Sequence, residues 1–223
     1  MESRLPLAQR KIVALKVCQI RDLRVANSLQ IIASVLMQSA RRVPSTEARS
    51  YVYDAHNRVM SVAALQRQLA VTNVGQVELR TYFTELCESI GASMIQDRDR
   101  LLLTVEAGEG LATADVSVSL GLIVTELVIN ALKHAFPGGR GGQITVGYEA
   151  DGTDWDLSVT DDGVGMPKAE PHATPGLGTS IVQALANQLG AQITVADADP
   201  GTRISVARTG SGEKTEVASR EAV

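Results

Sequence analysis

The residues best equipped for chemistry begin in the run Glu126-Leu127-Val128-Ile129-Asn130-Ala131-Leu132-Lys133-His134-Ala135. Glu126, Asn130, Lys133 and His134 recur at i, i+4, i+7 and i+8, which puts them on one face of a helix. The positions between them are apolar. A polar stripe on an otherwise apolar helix needs a polar partner, because each such group buried unpaired costs about 1–3 kcal/mol. Phosphate and a divalent cation would supply that partner. An Asn oxygen suits Mg2+, which takes oxygen ligands and keeps several waters. Taken alone, the stripe fits equally well a surface helix with incidental polar residues.

Three further pieces follow along the chain. Asp161-Asp162-Gly163-Val164-Gly165 comes directly after a β-rich run. Its glycines allow a tight turn and close backbone approach to a ligand, and a carboxylate at a strand end can accept from an exocyclic amine such as that of adenine. An ordinary Asp/Gly surface turn has the same composition. Gly176-Leu177-Gly178-Thr179-Ser180 opens a helical run. Free N–H groups and the helix dipole at such an opening favour phosphate, although many helices simply begin this way. Gly201-Thr202 then starts the last strand.

In this order and at these separations, the four pieces resemble the N, G1 and G2 boxes and terminal Gly-Thr of the GHKL ATPase fold. That family includes histidine kinases, gyrase and anti-sigma-factor kinases. The resemblance covers roughly residues 77 to 208. It implies a site for ATP and Mg2+, with Asn130 on the metal that bridges the phosphates and Glu126 orienting a water or the reacting groups. It implies Asp161 on the adenine amine, with Thr202 supporting it. Gly163, Gly165, Gly176 and Gly178 would shape the pocket and flank a lid at Met166 to Pro175, which carries Lys168 and His172. Lys133 and His134 fall where the family often has polar residues beside the phosphates.

The elements that must carry these residues read as an α+β arrangement. Val77 to Ile90 and Val116 to Ala135 have helical patterns. Leu101 to Glu106, Gln143 to Tyr148, Trp155 to Thr160, Gln192 to Ala196 and Thr202 to Ala207 read as strands. Thr179 to Leu189 is helical and stops at Gly190. Ahead of them lie two long stretches without Gly or Pro, about Lys11 to Arg42 and Glu47 to Val71. Ala26, Leu29, Ala33, Leu36 and Ala40 form the seam of the first, which breaks at Val43-Pro44-Ser45-Thr46, where Ser45 or Thr46 can cap the second. Two helices joined by a short turn make an antiparallel hairpin whose open apolar side would be covered by dimerisation into a four-helix bundle. The expected organisation is a hairpin over residues 1–72, a GHKL α/β-sandwich domain over 77–208, and a polar, disordered tail over 209–223.

The first helix carries Leu23-Arg24-Val25-Ala26-Asn27-Ser28-Leu29-Gln30. This resembles the phosphoacceptor box of the second HisKA-type family of sensor histidine kinases, related to the HWE group, with pattern H-R-V-x-N-x-L-Q. The Trp-x-Glu signature of the HWE group is absent, since Trp155 is followed by Asp156-Leu157. The position of the family's acceptor histidine holds Leu23, which has no nucleophilic nitrogen and cannot form a phosphoramidate. Leu23, Asn27, Gln30, Ser34, Gln38 and Arg41 follow one stripe, so Leu23 is expected on the solvent side. His56, in the second helix, does not match the acceptor box and reads as a solvated helix histidine.

Bulk properties narrow the rest. A formal net charge of −4 leaves no basic excess for a nucleic-acid backbone. No apolar run is expected to reach the roughly 18 residues that a bilayer span requires. The two cysteines, Cys18 and Cys87, form neither a disulfide framework nor a metal set, and read as core thiols of a reducing, cytoplasmic protein. The expected function is that of a two-component signalling protein that binds Mg·ATP, forms a homodimer through residues 11–71 and docks a response-regulator receiver domain. Asn27 and Gln30 could orient water at an aspartyl phosphate, which admits a response-regulator phosphatase. A non-catalytic adaptor and an anti-sigma-type serine kinase are the other readings; the acceptor-box remnant speaks against the kinase.

Overall fold

The computed structural model describes residues 7–71, 76–166 and 177–210. The tail beyond residue 210 and most of the lid, 167–175, lie outside them, as does Gly176. Helices α1 (Leu7–Arg42) and α2 (Thr46–Val71) form the expected antiparallel hairpin. Ala26, Ala33 and Ala40, seven residues apart, are buried along the seam, where small side chains let the two helices approach closely. Ser45 caps α2 by accepting the Ala48 N–H at 3.2 Å. The Arg49 guanidinium closes the turn on the Val43 carbonyl. The His56 ring is only partly solvated. It is half-buried, and its Nδ1 lies 2.9 Å from the Ala33 carbonyl across the hairpin.

The second half adds, in order, β1 (Gln76–Glu78), α3 (Leu79–Met94), β2 (Leu101–Ala107), β3 (Leu111–Thr113), α4 (Ala114–His134), β4 (Gly142–Asp151), β5 (Asp154–Asp161), α5 (Leu177–Gln188), β6 (Gln192–Asp197) and β7 (Thr202–Arg208). Five strands make one sheet in the order β2-β4-β5-β7-β6, parallel only between β2 and β4. Strands β1 and β3 pair separately. Helices α3, α4 and α5 form a layer on one sheet face, so the chain is α+β, a helical region followed by an α/β sheet domain. Alternation along β4 turns Ile144, Val146 and Tyr148 into that core, where they meet Phe83 and Leu86 of α3 and Ile123 and Leu127 of α4.

Two expectations need correction. By length and composition α4 does qualify as an apolar span, with 21 residues and a mean hydropathy of 1.6. It is the central core helix, and 67% of that window is buried by the surrounding chain. Secondly, the hairpin is partly covered without a second copy, because α2 packs on α3 and α4. That contact buries Asn57 and Ser61 of α2. Asn57 accepts from the Ser93 hydroxyl at 3.0 Å, and the Tyr82 hydroxyl donates to the Ser61 carbonyl. Gly121 makes room for Tyr82, since a Cβ there would sit 1.9 Å from the tyrosine oxygen. Cys87 is buried as expected, its thiol pushed up to about 12 by burial and by the charge of Glu88. The Cys18 side chain lies outside the described residues.

Candidate nucleotide site

Helix α4 supplies the first wall, and its polar stripe divides in two. At about 100° per residue, Glu126 and Lys133 lie close together on the helical wheel, while Asn130 and His134 are rotated away from them. Glu126 and Lys133 turn toward α2. The buried Glu126 carboxylate accepts from Nε and Nη2 of Arg58, the second at 2.9 Å. The Lys133 ammonium donates to both oxygens of Asp54 at 2.8 Å. Asn130 and His134 instead line a cavity of about 960 Å³, and neither Glu126 nor Lys133 is among its lining residues.

The second wall is the end of β5 and the loop after it. Asp161 is 8% exposed, and one of its oxygens accepts the Gly163 N–H at 3.0 Å. Burial raises its pKa; the N–H groups of Gly163 and Thr202 oppose that rise, and the charge of Asp162 adds to it. Gly163 is buried against the end of α4: a Cβ there would lie 2.4 Å from the Ala135 carbonyl oxygen, which accepts the Val164 N–H at 3.0 Å. Gly163 thus shapes the wall from behind and does not line it. Gly165, at φ +75°, does line it. Gly201, at φ +102°, lies over the Asp161 carbonyl, where a Cβ would be 1.8 Å from the oxygen. Thr202, which follows, pairs with Asp161 across the sheet and lines the cavity.

The third wall is the first turn of α5. Gly178 lines the cavity, and a Cβ there would lie 2.6 Å from Glu126 Oε2 and 3.7 Å from Asn130 Oδ1. The structure therefore brings Asn130, His134, Asp161, Gly165, Gly178 and Thr202 to one cavity. It sets Glu126 and Gly163 just behind that cavity and turns Lys133 to Asp54. Leu23 lies in α1, but its side chain is outside the described residues, and with it the expectation of solvent exposure. Its stripe mates Asn27, Ser34, Gln38 and Arg41 are exposed, and Gln30 is half-buried.

This cavity is near the upper end of the roughly 300–1,000 Å³ common for small-molecule sites. Apolar side chains including Leu127, Val159, Ile193 and Ile204 line it alongside the buried Asp161 carboxylate. A flat base with an exocyclic amine fits that combination. Among the described residues no cluster of three or more His, Cys, Asp or Glu side chains gathers. Asn130 offers a single amide oxygen, a donor set suited to a cation held mainly by water and ligand phosphate, as Mg2+ is.

Sequence reasoning missed Asp54 and Arg58. Their i, i+4 spacing on α2 was visible, but nothing local pairs them with charges 79 and 68 residues away.

Comparison with known proteins gives the family. Residues 22–94 match the HisKA_2 histidine-kinase family, and residues 115–211 match the histidine kinase-, DNA gyrase B-, and HSP90-like ATPase family. The sensor histidine kinase PdtaS of Mycobacterium tuberculosis is 31% identical over 196 residues, which are 84% of this chain and 39% of that protein. Blue-light-activated histidine kinase 2 of Erythrobacter litoralis is 26% identical over 205 residues, 87% of this chain and 57% of that protein. The chain thus spans well under two-thirds of either relative. The histidine kinase domain of the Erythrobacter litoralis EL346 blue-light activated histidine kinase has the same fold, with a TM-score of 0.63 and 22% identity over 80% of this chain and 94% of that one. The chain belongs to the histidine kinase family of two-component signalling, and its carboxyl-terminal part is an ATP-binding domain of the type shared with DNA gyrase B and HSP90.

Proposed function

We propose that this chain is a cytoplasmic, homodimeric two-component signalling protein that binds Mg·ATP in the α4–β5–α5 cavity and docks a response-regulator receiver domain on its helical hairpin, without phosphorylating itself on α1. The observation that carries the nucleotide half is the convergence of Asn130, Asp161, Gly165, Gly178 and Thr202 on one cavity from four separate elements and the loop after β5. Asp161 accepts the adenine amine, and Asn130 holds Mg2+ through its amide oxygen. Bound Mg2+ supplies positive charge to offset the phosphates. His134 and the N–H groups opening α5 face the same space. Residues 1–72 act as the dimerising, receiver-docking unit and 77–208 as the nucleotide unit. In support of a dimer, Val25, Ile31, Ile32 and Val35 of α1 are 41–66% exposed, an apolar face that the described residues leave uncovered.

The acceptor position holds Leu23, so the γ-phosphate has no nitrogen to attack it there. Exposed Asn27, one helical turn further on, supports a second role, orienting water at a receiver's aspartyl phosphate. Incubation with γ-labelled ATP tests the assignment. The chain takes up no label on α1, and Leu23→His does. Equal labelling of the two proteins, or none in either, refutes this account of Leu23. Isothermal titration with Mg·ATP tests the site itself, and an absence of binding refutes it.

A further inference from the structure

Arg58 lies on α2, outside every motif that marks the nucleotide site, yet it reaches the back of that site. Two of its nitrogens donate to Glu126, which is 3% exposed. Glu126 is also close to the proposed nucleotide. Its Oε2 lies under Gly178, which the Asn130 amide oxygen also approaches, and both of those residues line the cavity. The Glu126 charge therefore sits directly behind the wall where triphosphate would bind.

Four charged groups meet at this contact. Lys133, the other cation on this side of α4, is held by Asp54 and is turned away from the cavity. Asp54 lies one turn before Arg58 and adds its own attraction to the guanidinium. Arg58 is thus the group that masks Glu126. Without it, a bare carboxylate would face a polyanion in a region of poor screening.

We infer that Arg58 is a positioning residue of the nucleotide site supplied by the hairpin: by holding and neutralising Glu126 it raises affinity for the phosphates, so hairpin docking and triphosphate binding strengthen one another. The inference rests on the Mg·ATP reading above. Because coupling free energies are reciprocal, a triphosphate that binds more tightly to the docked form must also stabilise docking.

The test uses the full chain, with Mg·ATP and adenosine titrated calorimetrically into the parent, Arg58→Ala, Glu126→Gln and the double variant. Arg58→Ala weakens Mg·ATP about tenfold and adenosine less than about twofold, the size expected when one partly screened charge is unmasked beside an anion. In the double variant, Mg·ATP affinity returns to within about threefold of Glu126→Gln alone, since no charge remains to mask. Mg·ATP slows hydrogen exchange over Thr46–Val71 in the parent but not in Arg58→Ala. Should Arg58→Ala fail to fold, Arg58→Gln keeps a hydrogen-bonding side chain without the charge and must show the same contrast. Equal losses for Mg·ATP and adenosine, or no recovery in the double variant, would overturn the inference and leave the nucleotide site intact. A parent chain that binds neither ligand overturns both.

Discussion

Asp161→Asn separates nucleotide recognition from folding within one side chain. The carboxylate is 8% exposed and hydrogen-bonded to the N–H groups of Gly163 and Thr202. An amide has nearly the same shape. Its oxygen can keep the 3.0 Å bond from Gly163, while its nitrogen cannot accept. The fold then loses at most one backbone hydrogen bond, about 1 kcal/mol. It also sheds a desolvated charge beside Asp162, which acts in the opposite direction. The net change in stability stays within about 1 kcal/mol, or roughly 2–4 °C in Tm for a chain of this size.

Binding has no such compensation. The adenine amine is a donor and would meet the donor face of the new amide. Losing a charge-assisted bond and leaving the amine unpaired costs about 2–3 kcal/mol, which is roughly 30- to 150-fold in Kd. Inosine triphosphate, with a carbonyl in place of the amine, should suffer far less, so the preference for ATP collapses. Calorimetric titration with both nucleotides, beside a thermal melt, reads all three quantities. An ATP Kd within about threefold of the parent would remove Asp161 from adenine recognition. A Tm lower by more than about 5 °C would make the carboxylate structural. The sign with pH is also set. Because the folded-state pKa of Asp161 is raised, its contribution favours the ligand-free fold at low pH and is lost as pH rises through that raised value. Affinity for ATP moves the other way, falling as acidification protonates the carboxylate.

Gly163→Ala should cost about 1–3 kcal/mol of stability, because its Cβ would meet Ala135 main chain and not a movable side-chain tip. Nucleotide affinity should fall with it, and an unchanged melt and Kd would show that the loop does not depend on packing against α4. Glu78→Ala should destabilise by about 1 kcal/mol or less, since Glu78 caps α3 by accepting from Arg80 and Thr81. Burial pushes the Glu78 pKa up, but the Thr81 hydroxyl, those N–H groups and the Arg80 charge together hold it below its usual range. Its contribution is therefore present above the usual carboxylate range and is lost as pH falls through the depressed value. Melts of parent and variant should converge on acidification, and a gap that persists in acid would exclude the capping charge as its source.

Local signals carried most of the architecture. Stretches without Gly or Pro marked α1 and α2, the runs Gln143 to Tyr148 and Trp155 to Thr160 marked β4 and β5, and Asp/Gly clustering marked the loop after β5. Three-residue strands such as β1 and β3 are too short to show a period, and Val77 and Glu78 of β1 read instead as the start of the helix that follows them, which begins at Leu79. Nothing near Asn57 and Ser61 signals that their polar side chains are buried, because the helices that bury them, α3 and α4, lie far along the chain. The site was legible in part for the same reason. Spacing alone put Glu126, Asn130, Lys133 and His134 on one face. It could not divide that face between a cavity and a neighbouring helix, because the division depends on Asp54 and Arg58.

That division bears on what ATP would do in a chain that, on the proposed reading, carries Leu23 at the acceptor position. Helix α4 buries Leu127 and Val128 in the core, presents Asn130 and His134 to the cavity, and gives Glu126 and Lys133 to α2. One rigid helix therefore touches the core, the nucleotide wall and the hairpin at once. Hydrophobic burial fixes α4 against the sheet, so on the proposed reading a change at the phosphates would reach the hairpin through the side chains on its two polar faces. On the proposed reading, loss of the acceptor nitrogen removes phosphoryl transfer to α1 but leaves this connection whole. ATP then acts on the hairpin as a ligand does, by favouring one docked arrangement, and the receiver-binding helices respond to nucleotide without receiving its phosphate.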